Sequence, residues 1–94
     1  MKSKMIVSSK VLRNALLVGI PMDPNEDHVV TFRCDDISVE VSGQPVTNVM
    51  RDWEDFDIDR DKAKKLHALL IAMSEQPITV MYDGNWFTIQ EVLV

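Results

Sequence analysis

The chain has little of what marks several classes of protein. Its 94 residues contain a single cysteine, Cys34, together with three glycines and four prolines. One cysteine cannot form an internal disulfide, so a disulfide-linked secreted fold is excluded and a reducing, cytoplasmic setting is expected. No apolar run approaches the roughly 18 residues that a membrane span needs, and the first residues lack the apolar stretch of a secretory signal. We therefore expect one domain, residues 1–94, with a modest core and no part in a membrane.

Residues that carry catalytic chemistry are also sparse. His28, His67 and Cys34 lack the spacing of a zinc site, and the isolated glycines form no phosphate-binding loop. Cys34 alternates with Phe32 and Val30, which is typical of a small core residue and not of a nucleophile. His67 borders the apolar face of a predicted helix and is expected to be half-exposed. With no catalytic triad in the sequence, we expect no enzymatic activity, no metal site and no cofactor.

Hydrophobic spacing predicts the secondary structure of the first half. The letters "KMIVSS" are typical of a strand ending at Ser8 or Ser9, either of which could cap the helix "SKVLRNALLVGI". The strands "HVVTFRC" and "ISVEVSG" follow, joined by a tight hairpin at Asp35-Asp36. Ile37, Val39 and Val41 alternate with polar residues and are expected to share the buried face. A weaker third strand is predicted in "VTNVMRDW".

The stretch "WEDFDIDRDKAKK", residues 53–65, has aspartate at every second position from Asp55 to Asp61. This spacing matches positions 1, 3 and 5 of a calcium-binding loop. Position 6 is then Arg60 and position 12 is Leu66, whereas the loop requires glycine and glutamate there. The calcium interpretation is therefore rejected.

The same stretch fits the junction between a strand and a helix. Phe56 and Ile58 would share one face of the strand, and Asp59 stands where a helix N-cap belongs. Asp61 falls in the first turn, where a negative charge favours the helix dipole. We predict an amphipathic helix over residues 60–75. The letters "ITVMYDGNWFTIQEV" then predict a hairpin that turns at Asp83-Gly84-Asn85.

The order of elements describes one unit used twice, with an offset near fifty residues. We predict an α+β fold: an antiparallel sheet with two helices packed on one face, arranged as two strand–helix–strand–strand units. The repeat lies in the pattern and hardly in the residues. Val7 corresponds to Ile58 and Ala15 to Leu66, but Val11 would correspond to Lys62.

Charge is distributed unevenly along the chain. The net charge is −5, yet residues 8–20 carry +2, residues 60–74 carry +3 and everything else carries −10. The helices are therefore predicted to be basic and the sheet and loops acidic. The simplest explanation is that Lys and Arg are good helix formers on solvated faces. A functional explanation is that one side of the domain is built for a negatively charged partner.

Three stretches, "MIVSSKVLRNAL", "VTFRCDDISVEVSG" and "FDIDRDKAKKLHALLIAMSEQPITVMYDGNWFTIQ", together resemble a domain of the DNA sliding clamps, above all the bacterial polymerase processivity factor. In that family each domain contributes two helices to the lining of a ring, and basic side chains on them face the phosphates of duplex DNA without reading sequence. The resemblance implies the following DNA-contact residues: Lys10, Arg13, Arg60, Lys64 and Lys65. Family rings use six such domains, and unpaired sheet edges invite pairing, so a homo-oligomer is expected.

A second hypothesis belongs to a different class, the small acidic inhibitors that phages and mobile elements use against host nucleases. Its active surface would be a set of acidic loops that compete for the basic groove of a protein partner. The candidate residues are Asp23, Glu26, Asp27, Asp35, Asp36, Asp52, Glu54, Asp55 and Asp57. Trp53, which stands among these acids, is a candidate aromatic anchor. The simpler alternatives are that acidic loops keep a small domain soluble and that Trp53 belongs to the core.

Overall fold

The computed structural model describes residues 3–19, 30–35, 37–84, 87–90 and 92–93. The predicted α+β class is confirmed, with two helices and antiparallel strands. In chain order the elements are β1 (Ser3–Ser8), α1 (Ser9–Gly19), β2 (Val30–Cys34), β3 (Val39–Val41), β4 (Gln44–Thr47), β5 (Met50–Arg51), β6 (Phe56–Ile58), α2 (Arg60–Ala72), β7 (Pro77–Tyr82), β8 (Phe87–Ile89) and β9 (Val92–Leu93). The predictions for His28, Asn85 and Trp86 fall outside the described residues.

The strands divide into two antiparallel sheets, where the sequence suggested one. Sheet A has the order β5-β1-β7-β8-β9, and sheet B has the order β4-β3-β2-β6. Within sheet A, β1 pairs along its whole length with β7 of the second unit. Within sheet B, β6 pairs with β2 of the first unit. The two predicted units therefore exchange their first strands and interlock.

Burial shows the internal repeat more clearly than residue identity does. In α1 the buried positions include Leu12, Ala15 and Gly19, and in α2 they are Ala63, Leu66 and Leu70. The two sets match in order at an offset of about fifty residues. The poor match noted in the sequence, Val11 with Lys62, concerns side chains that are not part of the buried set. The internal repeat is thus present at the helix positions that face the core and absent at the exposed helix positions.

Both helices bury one face in a single core. The core contains Leu12 and Leu16 of α1, Leu66 and Leu70 of α2, and the inward residues of both sheets. The helices also contact each other. The N–H of Ser9 donates to the carbonyl of Gln76 at 2.9 Å, so the start of α1 lies beside the segment that follows α2. Asp59 caps α2 as predicted, because its carboxylate accepts the Lys62 N–H at 2.7 Å.

Two buried serines, the first residue of β1 and the residue that follows its end, tie this strand to distant segments. The Ser3 hydroxyl donates to the Glu54 carbonyl at 2.6 Å and accepts the Glu54 N–H at 2.9 Å. The Ser9 hydroxyl donates to the Ser74 carbonyl at 3.0 Å and accepts the Gln76 N–H at 3.1 Å. The Ser9 side chain, considered as a helix cap from the sequence, thus joins distant segments of the chain instead.

Replacing Ser9 by alanine is expected to lower the free energy of unfolding by about 1–3 kcal/mol, because the Ser74 carbonyl and the Gln76 amide lose a partner in a buried setting. Urea unfolding followed by tryptophan fluorescence measures this. Ser8→Ala is the matched control: Ser8 is half-buried and its hydroxyl bonds to nothing in the described part of the chain, so its cost should stay within about 0.5 kcal/mol. Equal costs for the two variants would contradict the structural role of Ser9.

The loop between β2 and β3 differs from its prediction. The Asp35 carboxylate accepts the N–H groups of Ile37 and Ser38, each at 2.8 Å. These bonds keep residues 37 and 38 out of β3, which covers only Val39–Val41. The side chain of Ile37 is 76% exposed. The prediction that Ile37 shares the buried face with Val39 and Val41 is therefore wrong, because a side chain-to-backbone turn competes with the strand.

Candidate binding surfaces

The predicted DNA-contact residues fall into two groups. Lys10, Lys64 and Lys65 are exposed on the helices, whereas Arg13 and Arg60 are half-buried. The Nε atom of Arg60 is buried and has no hydrogen-bond partner. Among the described residues the only salt bridge is that of another pair on sheet B, so no carboxylate neutralises the three exposed lysines.

The exposed lysines do not form one continuous patch. The start of α1, with Lys10, lies beside the end of α2, whereas Lys64 and Lys65 lie nearer the start of α2. At 1.5 Å per residue the two positions are roughly 12 Å apart along the helix axis. This exceeds the Debye length of about 8 Å at physiological salt. The two basic positions therefore act as separate contacts.

Apolar side chains occupy much of the remaining helix surface. Val11, Leu17 and Val18 of α1 are 41%, 63% and 68% exposed, and Ile71 of α2 is 58% exposed. The charge sums along the sequence gave no sign of this. The outer helix surface is therefore mixed, basic and apolar, rather than uniformly basic.

Several acidic candidates are engaged in holding the fold. Asp55 accepts the Cys34 N–H at 2.8 Å and the indole N–H of Trp53 at 2.9 Å. Asp57 pairs with Arg33 across adjacent strands of sheet B at 2.7 Å. The described residues thus contain fewer uncommitted carboxylates than the sequence suggested.

The remaining acidic candidates are scattered. Asp52 and Glu54 are exposed, and their carboxylates bond to nothing in the described residues. Four more candidates lie outside the described residues: Asp23, Glu26, Asp27 and Asp36. Among the described candidates, Asp52 and Glu54 are thus the two whose carboxylates are entirely unengaged, and both lie in the segment between β5 and β6.

Asp35 keeps its charge while holding its loop. Hydrogen bonds from the backbone N–H groups of Ile37 and Ser38 lower the pKa of the Asp35 carboxyl below its ordinary value. Both backbone bonds, and a third from the Ser38 hydroxyl at 3.5 Å, end on Oδ1. The Oδ2 atom of this exposed carboxylate is therefore available to a partner.

Trp53 is a packed side chain more than an exposed anchor. It is half-buried, its ring centre lies 5.5 Å from that of Phe56, and its indole N–H is held by Asp55. Phe56 in turn stacks on Phe32 at 4.6 Å and on Tyr82 at 4.1 Å. This aromatic cluster joins sheet B to sheet A.

The outer face of sheet A is a surface that the sequence analysis missed. Its strands contain two basic residues and no acidic residue in their described ranges. These two, Lys4 and Arg51, stand directly opposite each other on β1 and β5. Like charges in that position repel. The signal in the sequence was the alternation of Lys4 and Ile6 with buried Met5 and Val7.

A shallow cavity of about 260 Å³ lies on this side, lined by Lys4, Met5, Ile6, Val49, Met50 and Arg51. Ile6 is 43% exposed and Val49 is 49% exposed. A backbone hydrogen bond holds the two residues together, since the Ile6 N–H donates to the Val49 carbonyl at 3.1 Å. The cavity thus combines an exposed apolar pair with two neighbouring cations.

The described part of the chain holds no group of three or more His, Cys, Asp or Glu side chains that could bind a metal ion. No helix within it is long and apolar enough to cross a membrane. His67 is half-buried in α2, and the Cys34 thiol donates to the Asp35 carbonyl at 3.0 Å. No protein-family model, curated protein or solved structure matches the chain significantly.

Proposed function

We propose that this chain is a non-enzymatic binding module, similar in arrangement to a sliding-clamp domain, whose paired helices contact the phosphates of duplex DNA. The observation that supports this function is the presence of three exposed lysines on two adjacent helices, free of salt bridges within the described residues. The two interlocked strand–helix–strand–strand units also support the proposed function, since both helices pack against the same core. Contacts of this kind position DNA without reading its sequence.

A single copy is expected to bind DNA weakly. Three phosphate contacts give a slope of log K against log salt of only about −2.7, and the net charge of −5 opposes the approach of a polyanion. The apolar side chains between the lysines gain nothing from phosphates. Retention of DNA at physiological salt therefore requires several copies acting together, and a homo-oligomer forms part of the proposal.

The double variant Lys64→Gln/Lys65→Gln is expected to weaken binding to a short duplex several-fold at low salt and to reduce the salt slope by about 2. Fluorescence anisotropy at a series of salt concentrations measures both. The control is Gln44→Glu/Gln90→Glu, which changes the net charge equally at exposed positions outside the helices. The proposal fails if the two variants weaken binding alike, or if the wild-type chain ignores DNA at low salt.

An inhibitory acidic surface has less support. Asp55 and Asp57 are committed to hydrogen bonds or a salt bridge within the fold, and Asp35 uses one of its two carboxylate oxygens to hold its loop. Only Asp52 and Glu54 remain exposed and unengaged among the described candidates. Two carboxylates are few for a surface that must compete with the phosphate backbone of a nucleic acid.

A further inference from the structure

Ile37 is the most exposed large apolar side chain of the described residues, at 76%. It lies in the β2–β3 loop, and the turn that Asp35 forms with the N–H groups of Ile37 and Ser38 holds it there. The loop thus presents an apolar side chain and an ionised carboxylate two residues apart. Exposed pairs of this kind, held by the backbone, are suited to insertion into a pocket that offers the complementary pair.

The sheet A cavity offers the complementary pair. Ile6 and Val49 supply exposed apolar surface, and Lys4 and Arg51 supply two cations whose mutual repulsion an approaching carboxylate would relieve. Lys4 and Ile6 point to the same face of β1 at a two-residue separation, roughly 6.6 Å along a strand.

We propose that the β2–β3 loop of one copy docks into the sheet A cavity of a second copy, with Ile37 against Ile6 and Val49 and with Asp35 facing Lys4 and Arg51. Asp35 can take part because its Oδ2 atom is not used by the turn. The loop belongs to sheet B and the cavity to sheet A. The contact therefore joins two different surfaces, and in a pair the first copy keeps a free cavity while the second keeps a free loop.

A contact between two different surfaces is heterologous, so it extends into a ring if its rotation closes and into a filament if it does not. DNA is a poorer occupant of the cavity, because phosphates would satisfy Lys4 and Arg51 but leave Ile6 and Val49 facing a hydrated backbone. The chain's own loop satisfies both halves of the cavity. This contact does not depend on the proposed DNA function, since it forms without nucleic acid.

The test is the mass in solution by light scattering, over a range of protein concentrations and without DNA. The wild-type chain should rise above the monomer mass, whereas Ile37→Asp and Val49→Asp should each remain monomeric. Mixed together in equal amounts, the two variants should form a 1:1 heterodimer, because one keeps its cavity and the other keeps its loop. The matched control is Ile71→Asp on α2, where the 58% exposure of Ile71 lies between those of Val49 and Ile37; this variant should assemble like the wild type.

The variant Asp35→Asn removes the negative charge but keeps the turn, since the amide oxygen still accepts hydrogen bonds from the two backbone N–H groups. It should weaken assembly several-fold, with a smaller loss at high salt. A wild-type monomer at every concentration would overturn the proposal. Assembly of the Ile37→Asp variant, or a mixture of the two variants that stays monomeric, would also overturn it. The same holds if the protein is monomeric and duplex DNA shifts the NMR resonances of Ile6 and Val49, because DNA would then occupy the cavity.

Discussion

Replacing Gly19 by alanine is expected to destabilise the domain by about 1–3 kcal/mol, the usual cost of adding a methyl group to a packed site. Gly19 is the last residue of α1 and is buried. A Cβ atom there would meet the Ser42 hydroxyl and would lie 2.9 Å from the Ser42 Cβ. Alanine normally favours a helix by about 1 kcal/mol over glycine. Rotation of the hydroxyl cannot relieve the contact with Cβ, so the backbone must move and overpacking outweighs the helical gain.

Ser42 itself has an unfavourable backbone conformation, so replacing it tests the predicted contact with residue 19. It has a φ of 50° and Gly43 has a φ of 83°, in the two-residue turn that joins β3 to β4. The Ser42 hydroxyl is also buried without a partner. Ser42→Gly removes the strain and the hydroxyl, so it is expected to be neutral or to stabilise the domain by about 1 kcal/mol.

The double variant Gly19→Ala/Ser42→Gly should recover the loss. Urea unfolding of the four proteins gives a coupling energy of about 1–3 kcal/mol, as expected for residues in direct contact. Ser42→Ala removes only the hydroxyl and should rescue Gly19→Ala partially. Strictly additive effects would show that α1 and the β3–β4 turn do not meet as described.

Replacing Phe32 by alanine is expected to cost about 3–5 kcal/mol, the largest effect of any single substitution considered. Phe32 is fully buried on β2. Its ring stacks on Phe56 at 4.6 Å and lies 5.7 Å from Phe87, so it contacts rings from both sheets. A domain of this size is stable by about 5–15 kcal/mol in total. The variant should therefore lose a large part of its stability, and ligand-free samples should unfold well below the wild-type urea midpoint.

The comparison that sharpens this prediction is Phe56→Ala. Phe56 has more aromatic neighbours than Phe32, yet it lies on the edge strand β6 and is only half-buried. Less surface returns to water when it is removed, and solvent can enter part of the space it leaves. Its cost should be smaller than that of Phe32→Ala. The reverse order would mean that the sheets are joined at the rim of the aromatic cluster instead of at its buried centre.

Local signals in the sequence predicted local structure well. Asp59 is the N-cap of α2 and Asp61 lies in its first turn, because capping depends on residues three or four positions apart. The hairpin of β7 and β8 was likewise predicted from its own residues. The exposed lysines of the helices followed from helical periodicity alone. For Ile37 the period of two was misleading, since the Asp35 turn ended the strand alternation before it reached that residue.

Contacts between distant parts of the chain were beyond reach of the sequence. Nothing in the residues around Ser9 indicates that its hydroxyl meets residues 74 and 76. The opposition of Lys4 and Arg51 depends on the pairing of β1 with β5, and period-two spacing does not choose a partner strand. For the same reason the two sheets and the cavity between β1 and residue 49 became visible only in three dimensions.

The exchange of first strands sets the order in which a growing chain can fold. The ribosome makes β1 before the other described elements, but its long neighbour β7 follows only after α2. The pairing of β6 with β2 in sheet B can form earlier, because β6 is complete before α2 and β7 are made. β1 therefore cannot pair with β7 until α2 and β7 have both left the exit tunnel. A chain cut between β5 and β6 would leave two halves that each lack a strand, and each half could regain it only from the other.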